Sequence, residues 1–174
     1  MRLALVAFAS AFIATPALAA MTISSPDLAA GAAMPATHIY PRCGGHNVSP
    51  ALNWSGAPAG TKSLVLTMID QDVKPALWSH WIVVDLPANS TGLAQGVKAL
   101  PAPAHGVKSN FGDATYDGPC PPRGSGVHHY EFTIWAMKGS TTKLPDDAKA
   151  PDVIATLTAG SLGRATLTSS VAAK

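Results

Sequence analysis

Charge is scarce in this sequence, and the basic residues form no run. Only 13% of the residues are Asp, Glu, Lys or Arg, and 12 basic against 10 acidic side chains give a formal net charge of +2. Proteins that bind nucleic acid through its phosphates carry a basic patch or stripe, so this composition argues against a nucleic-acid partner. Low charge together with 15 glycines and 15 prolines predicts a compact domain that is rich in loops.

Cysteine is nearly absent, since Cys43 and Cys120 are the only two. In an oxidising compartment an isolated pair is typical of a disulfide rather than of a metal site. We therefore predict a bond between them, with two buried free thiols as the alternative. The bond would pin the loop around Cys120 to the segment around Cys43.

Long apolar runs are also missing, except near the start of the chain. Met1-Arg2 precedes an apolar run from Leu3 to Ala14, and small side chains follow up to Ala20. One early positive charge, a short apolar core and a small-x-small ending are typical of a secretory signal peptide. An N-terminal membrane anchor is the alternative, but the run is shorter than the roughly 20 residues of a spanning helix. We predict a signal peptide over residues 1–19, cleaved after residue 19 or 20.

Residues 20–174 are enough for a single domain with its own core, and they contain no second apolar run of spanning length. We expect one exported bacterial domain, periplasmic or secreted, without a transmembrane anchor. Apolar, β-branched and aromatic residues predict strands over Lys62–Asp70, Trp78–Leu86 and His128–Met137. Weaker patterns predict strands over Met21–Ser25, Ala51–Trp54 and Arg164–Thr168, a helix over Pro151–Thr158 and an irregular loop over Ala94–Asn110. The fold class is therefore mostly β.

The stretch from Tyr116 to Tyr130 has the most residues suited to binding a ligand. It contains prolines, glycines, an arginine and two histidines, and it leads into a predicted strand. Prolines fix the backbone, glycines allow close approach to a ligand, and histidines near neutral pH can donate to an anion. This combination predicts a loop that holds a small ligand.

Polar residues of three strands should meet beside this loop. Asp70 ends one strand and His80 begins the next after a linker too short for a helical crossover, so the two strands should be antiparallel and place both residues at one rim. Side chains alternate along a strand, which puts His128 and Tyr130 on one face and turns His129 away. A polar cluster at a rim above apolar walls is a plausible small-ligand site.

The chemistry of this cluster favours capture of an anion. The Asp70 carboxylate would orient an imidazole and raise its pKa, which keeps the ring a donor. Two such histidines with loop amides and a tyrosine hydroxyl would hold phosphate or an acetate-like group. No nucleophile accompanies them, because Ser79 should face away from His80 and Ser125 lacks the serine-hydrolase elbow. We predict a binding protein without cofactor or metal rather than an enzyme.

Four ordered motifs resemble the phosphatidylethanolamine-binding protein family, in its bacterial Raf-kinase-inhibitor-like branch, from about Ile23 to Thr168. The motifs are Ser49-Pro50-Ala51-Leu52-Asn53-Trp54, the strand end from Leu64 to Asp72, Trp78-Ser79-His80-Trp81, and the loop from Tyr116 to Tyr130. The resemblance implies a large antiparallel sheet packed on a smaller one, with a few flanking helices and an anion pocket at the rim. By motif position the ligand-binding residues would be Asp70, Asp72, Trp78, His80, Cys120, Pro121, His128 and Tyr130.

The resemblance further implies binding of phosphate, acetate or a phospholipid head group. In eukaryotic members it implies docking to kinases or proteases as an inhibitor. The sequence departs from the family pattern at Asp70-Gln71-Asp72, where Asp-Pro-Asp is usual, and at Val127-His128-His129-Tyr130, where Pro-His-Arg-Tyr is usual.

Two other functions stay open at this stage. One is an inhibitor or modulator of an exported protease or other protein, for which the Ala94–Asn110 loop would be a contact surface. The other is a metal-dependent hydrolase, because two histidines with one carboxylate resemble a facial metal triad that activates water.

Overall fold

The computed structural model describes residues 20–145 and 148–173. The predicted signal peptide over residues 1–19 lies outside the described residues. Among the described residues, no helix is long and apolar enough to cross a membrane.

A five-stranded antiparallel sheet forms the centre of the fold, with the strand order β6-β4-β3-β7-β8. Its members are β3 (Ser63–Asp70), β4 (Trp78–Pro87), β6 (His105–Gly106), β7 (Val127–Met137) and β8 (Ser161–Ala172). All eight residues of β3 are buried, as its uninterrupted apolar sequence predicts for a central strand covered on both faces.

A smaller antiparallel sheet covers one face of the large sheet. It consists of β1 (Thr22–Ser24), β2 (Leu52–Ser55) and β5 (Gly92–Leu93) in the order β1-β2-β5. Alternation along β3 directs Leu64, Leu66 and Met68 into the core beneath this sheet, where they meet Trp54 and Phe132. Two short 3-10 helices, Ala36–His38 and Pro41–Cys43, lie between β1 and β2.

The opposite face of the large sheet packs on a single helix, α1 (Ala150–Gly160). Val153 and Leu157 lie one helical turn apart and are both fully buried against Val65, Ile82 and Trp135. Because these strand residues alternate with those of the first core, β3, β4 and β7 each contribute to both cores.

The outer edge of β8 is closed by a segment near the start of the domain. Gly31 N–H donates to Thr168 O, Met34 N–H donates to Ser170 O, and Ser170 N–H donates to Ala32 O. Pairing of this kind satisfies backbone groups that an open edge strand would expose.

The structure confirms the mostly β fold class and the three strong strands, and it corrects several weaker predictions. The last strand spans twelve residues rather than Arg164–Thr168, and the helix begins one residue earlier and ends two residues later than Pro151–Thr158. The Ala94–Asn110 loop contains β6, which pairs with β4 through Val83 and Val84. Two-residue strands and 3-10 turns carry no periodicity, so the sequence pattern did not reveal them.

Candidate functional site

Three neighbouring strands bring polar side chains to one rim of the large sheet. In the register of the sheet, Asp70 at the end of β3 pairs with Trp78 at the start of β4 and with Tyr130 near the start of β7. The antiparallel arrangement predicted for Asp70 and His80 is therefore present. Tyr130 belongs to the apolar core, and Asp70, His80 and His128 are buried beside it.

Asp70 orients His128. The His128 Nδ1–H donates to Asp70 Oδ2 at 2.7 Å, and both side chains are buried. The other carboxylate oxygen, Oδ1, accepts from the backbone N–H of Asp72 at 2.9 Å. With both oxygens engaged, Asp70 acts on the site mainly by fixing the His128 ring.

His80 is held differently, by a backbone carbonyl. Its Nδ1 lies 2.9 Å from Asp117 O, and its ring packs between Phe111 and Tyr130 with centroid distances of 5.0 and 5.1 Å. Burial lowers the pKa of His80 to about 4, although the Asp117 carbonyl and the Asp70 charge act in the opposite direction. His80 is thus neutral at pH 7, and the expectation that both histidines act as protonated donors is wrong for His80, because desolvation outweighs the nearby carboxylate.

Tyr130 carries an unsatisfied hydroxyl. Its side chain is fully buried, and the oxygen has no hydrogen-bond partner among the described residues. Burial, then the charge of the Asp70 carboxylate and the closeness of that carboxylate to the hydroxyl, raise the pKa of the phenol, although no hydrogen bond of good geometry joins the two groups. The group therefore stays protonated and offers one O–H donor.

A cavity of about 250 Å³ opens over this cluster. Six of the eight predicted ligand-binding residues line it. The lining consists of Arg42, Asp70, Val73, Trp78, His80, Phe111, Cys120, Pro121, Pro122 and Tyr130. The volume is below the range of drug-sized pockets and suits a head group or a small anion.

The other two predicted residues lie outside the lining. His128 stacks behind Tyr130, with the ring centroids 6.5 Å apart. Asp72 turns to the exposed side of β7, where its Oδ2 accepts from both the backbone N–H and Nδ1 of His129. The His129 backbone bond lowers the pKa of Asp72 despite the opposing effect of burial. His129 faces away from the site, as predicted.

Arg42 lines the cavity and is positively charged, but it is not among the site residues predicted from the sequence. The predicted disulfide between Cys43 and Cys120 is present, with a Cα–Cα distance of 5.4 Å. It joins the 3-10 helix that carries Arg42 to the proline-rich loop. The pairing of the cysteines was the available signal, because a residue next to Cys43 must lie near a loop that is bonded to it.

The proline-rich loop is further fixed by close backbone packing. Tyr40 N–H donates to Pro119 O at 3.0 Å, and Gly118 N–H donates to Asn47 Oδ1 at 2.6 Å. A Cβ at Gly118 would collide with the backbone of His38 and Ile39. Glycine is therefore required there for the loop to lie against the segment that carries Arg42.

Neither serine near the site is activated as a nucleophile. Ser79 Oγ donates to Asn110 Oδ1 and accepts from Asn110 N–H, while Ser125 Oγ donates to Pro122 O at an exposed turn. In the part of the chain that the structure describes, no three or more His, Cys, Asp or Glu side chains are arranged to hold a metal ion.

Two other cavities are larger than this one. One of about 650 Å³ adjoins the site and shares Arg42, Cys120, Pro121 and Pro122 with it, with Arg123 on its far wall. The other, of about 420 Å³, lies beside β6 between His105, Lys108 and Lys143 and contains none of the predicted site residues.

Known proteins share the sequence pattern and the fold of this chain. The profile of the family described as phosphatidylethanolamine-binding protein (PBP) matches residues 24–172. The UPF0098 protein YbcL of Escherichia coli K12 is 39% identical over 141 residues, 76% of this chain and 75% of YbcL. The putative lipoprotein LppC of Mycobacterium tuberculosis H37Rv is 43% identical over 125 residues, 71% of this chain and 59% of LppC.

Solved structures agree with the sequence matches. The crystal structure of E. coli YbcL, described as a new member of the mammalian PEBP family, superposes with a TM-score of 0.83 and 33% identity, covering 90% of this chain and all of YbcL. The Chlamydia trachomatis homologue CT736 superposes with a TM-score of 0.70 and 28% identity, covering 87% of this chain and 97% of that one.

Proposed function

Because this chain belongs to the phosphatidylethanolamine-binding protein family, in its bacterial branch, we propose that it binds a small anion at the rim cavity. The ligand class is phosphate, acetate or the phosphate-bearing head group of a phospholipid. Binding without catalysis accounts for serines that are already hydrogen-bonded within the protein.

The Tyr130 hydroxyl is the observation that carries the proposal. A buried hydroxyl without a partner costs about 1–3 kcal/mol, and this one belongs to a residue that lines the cavity. A ligand oxygen would satisfy it. Arg42 in the same wall would supply the positive charge and several N–H donors that an oxyanion needs.

We also propose that the protein acts outside the cytoplasm. The Cys43–Cys120 disulfide is stable in oxidising compartments, and the relative LppC is named a putative lipoprotein. The proposed ligand would then be a phosphate compound or lipid head group that is accessible in the periplasm or outside the cell.

The experiment is a phosphate titration of the protein spanning residues 20–174, followed by the imidazole NMR signals of His80 and His128. Saturable shifts of both signals are expected. Arg42→Ala should weaken binding about ten-fold or more, since a charged hydrogen bond contributes roughly 1.5–3 kcal/mol. Arg164→Ala is the matched control, because Arg164 on β8 packs over the Trp135 ring and does not line the cavity, so its loss should leave phosphate affinity unchanged.

Two results would count against the proposal. Neither histidine signal shifting at any phosphate concentration would show that the cluster is structural. Equal losses in the two arginine variants would show that only net charge matters.

A further inference from the structure

The imidazole that lines the cavity, His80, has two nitrogens in different surroundings. Nδ1 lies 2.9 Å from the backbone oxygen of Asp117. A carbonyl oxygen only accepts, so Nδ1 carries a hydrogen. The backbone of Gly118 also lies close to the ring, but no hydrogen bond to Nε2 is present among the described residues, and the ring lines the cavity. Nε2 is therefore the nitrogen that His80 offers to the cavity.

A neutral ring with its hydrogen on Nδ1 presents a lone pair at Nε2. Burial lowers the pKa of His80 to about 4, so a second proton at neutral pH is strongly opposed. The ring is also enclosed by Phe111 and Tyr130, which offer no charge to stabilise an imidazolium. At pH 7, His80 acts on the cavity as an acceptor.

The other charged and titratable groups around His80 make this acceptor unusual in the site. Arg42 and the Tyr130 hydroxyl are donors. Asp70 lines the cavity as well, and each of its oxygens accepts one hydrogen bond, from His128 or from a backbone N–H, while Asp117 contacts His80 through its backbone oxygen. A ligand must therefore match two donors, and His80 Nε2 is the uncharged acceptor beside them.

We propose that the cavity selects an oxyanion that carries its own hydroxyl, such as hydrogen phosphate or a singly protonated phosphomonoester, which donates its O–H to His80 Nε2. This inference rests on the proposed function and adds a ligand class to it. Fully deprotonated oxyanions of the same size and charge are disfavoured, because they set an oxygen lone pair against the nitrogen lone pair.

Comparing inorganic phosphate with sulfate at pH 7.5 distinguishes an oxyanion that carries a hydroxyl from one that does not. Both are tetrahedral anions, but phosphate keeps at least one O–H at this pH whereas sulfate has none. We expect phosphate to bind about ten-fold or more tightly than sulfate by calorimetry, as one lost hydrogen bond with an unpaired acceptor implies. The ¹⁵N shift of Nε2 in the phosphate complex should remain that of a neutral acceptor nitrogen.

The outcomes of this comparison are distinct. A phosphate-to-sulfate affinity ratio below five, or a doubly protonated His80 ring in the complex, overturns the inference while leaving the anion site intact. Binding of neither anion overturns the proposed function and the inference with it.

The pH dependence of phosphoethanolamine affinity tests the same preference for a protonated phosphate. Its phosphate loses the second proton near pH 6, so the protonated fraction rises about 25-fold between pH 7.5 and pH 5.5 and affinity should rise by up to that factor. Inorganic phosphate carries an O–H at both pH values and corrects for titration of Asp117, whose pKa is raised to about 6 by burial and by Asp113. A gain for phosphoethanolamine no larger than that for inorganic phosphate contradicts the inference.

His80→Asn keeps an amide N–H for the Asp117 carbonyl and removes Nε2. The variant should bind phosphate and sulfate with a ratio near one. His38→Asn is the matched control, because His38 is also buried with Nδ1 on a carbonyl, Val48 O at 2.7 Å, but does not line the cavity. Retention of the wild-type ratio in His80→Asn overturns the assignment of Nε2 as the selective atom.

Discussion

Two buried tyrosines differ in what their hydroxyls contact. Tyr116 donates to His38 O at 2.7 Å, whereas the Tyr130 hydroxyl has no partner among the described residues. We expect Tyr116→Phe to lose about 1 kcal/mol of the free energy of unfolding with unchanged phosphate affinity, because one buried hydrogen bond is lost. Tyr130→Phe should lose phosphate affinity at little cost in stability.

Urea unfolding combined with phosphate titration checks this pair of variants. Each tyrosine variant is the control of the other, since the same atom is removed from the same core. A loss of stability in Tyr130→Phe that matches that of Tyr116→Phe would mean that the Tyr130 hydroxyl is bonded within the free protein.

His80 and Asp117 are expected to give the stability of the protein opposite pH dependences. The pKa of His80 is lowered from 6.5 to about 4, so the unfolded chain binds the extra proton and stability rises between pH 4 and 6.5. The pKa of Asp117 is raised from 3.8 to about 6 by burial, so the folded chain binds the extra proton and stability falls between pH 3.8 and 6. The two effects offset each other in wild type.

Single substitutions should reveal how each residue contributes to the pH dependence of the free energy of unfolding. His80→Asn should become less stable as pH rises from 4.5 to 6, and Asp117→Asn should become more stable over the same interval, both relative to wild type. Urea unfolding at the two pH values measures the slopes. Parallel pH profiles for wild type and both variants would contradict the assigned directions.

At the scale of elements, the long strands could be predicted from the sequence and the two-residue strands could not. The β3 run from Ser63 to Asp70 and the β7 run from Val127 to Met137 have enough apolar and β-branched residues to mark strands by themselves. β5 and β6 have two residues each, and they exist because longer strands offer them partners. A two-residue segment is too short for its own sequence to indicate the strand with which it pairs.

The site was predictable to a similar degree. Asp70, His80 and Tyr130 follow from strand alternation and antiparallel pairing, and the structure brings them together. Phe111 comes from a loop and Arg42 from a short 3-10 helix, and the positions of both depend on packing rather than on periodicity. Asp72 was assigned by motif position; it lies two residues beyond the end of β3, and its Oδ2 accepts from His129 on the exposed side.

The Cys43–Cys120 disulfide joins two elements that line the cavity, the 3-10 helix that carries Arg42 and the proline-rich loop. Cys43→Ser combined with Cys120→Ser frees the 3-10 helix that carries Arg42 and removes a closed loop of 77 residues. Stability should fall by up to about 4.5 kcal/mol on the chain-entropy account. Phosphate affinity should fall as well, because Arg42 is no longer fixed beside Tyr130.

Calorimetric phosphate titration and urea unfolding of the double variant check both expectations. Wild-type protein treated with reductant is the matching control and should behave like the variant. Full phosphate affinity in the folded double variant would show that packing alone positions Arg42.

At the scale of the whole molecule, export is the property with the clearest test. The sequence predicts removal of residues 1–19 or 1–20 by a signal peptidase. Expression of the full chain in a bacterium should therefore yield a periplasmic protein that starts at Ala20 or Met21, with no free thiol. Intact mass and N-terminal sequencing measure this, and a product that retains residue 1 would contradict it.

The pairing of residues 31–34 with β8 sets an order of events for the growing chain. The carbonyl and amide groups of residues 168–170 that bond this segment are synthesised more than 130 residues after it. The outer edge of the large sheet therefore stays incomplete during synthesis, until residues 168–170 are available to pair with residues 31–34. The sheet is therefore completed only after β8 has been synthesised.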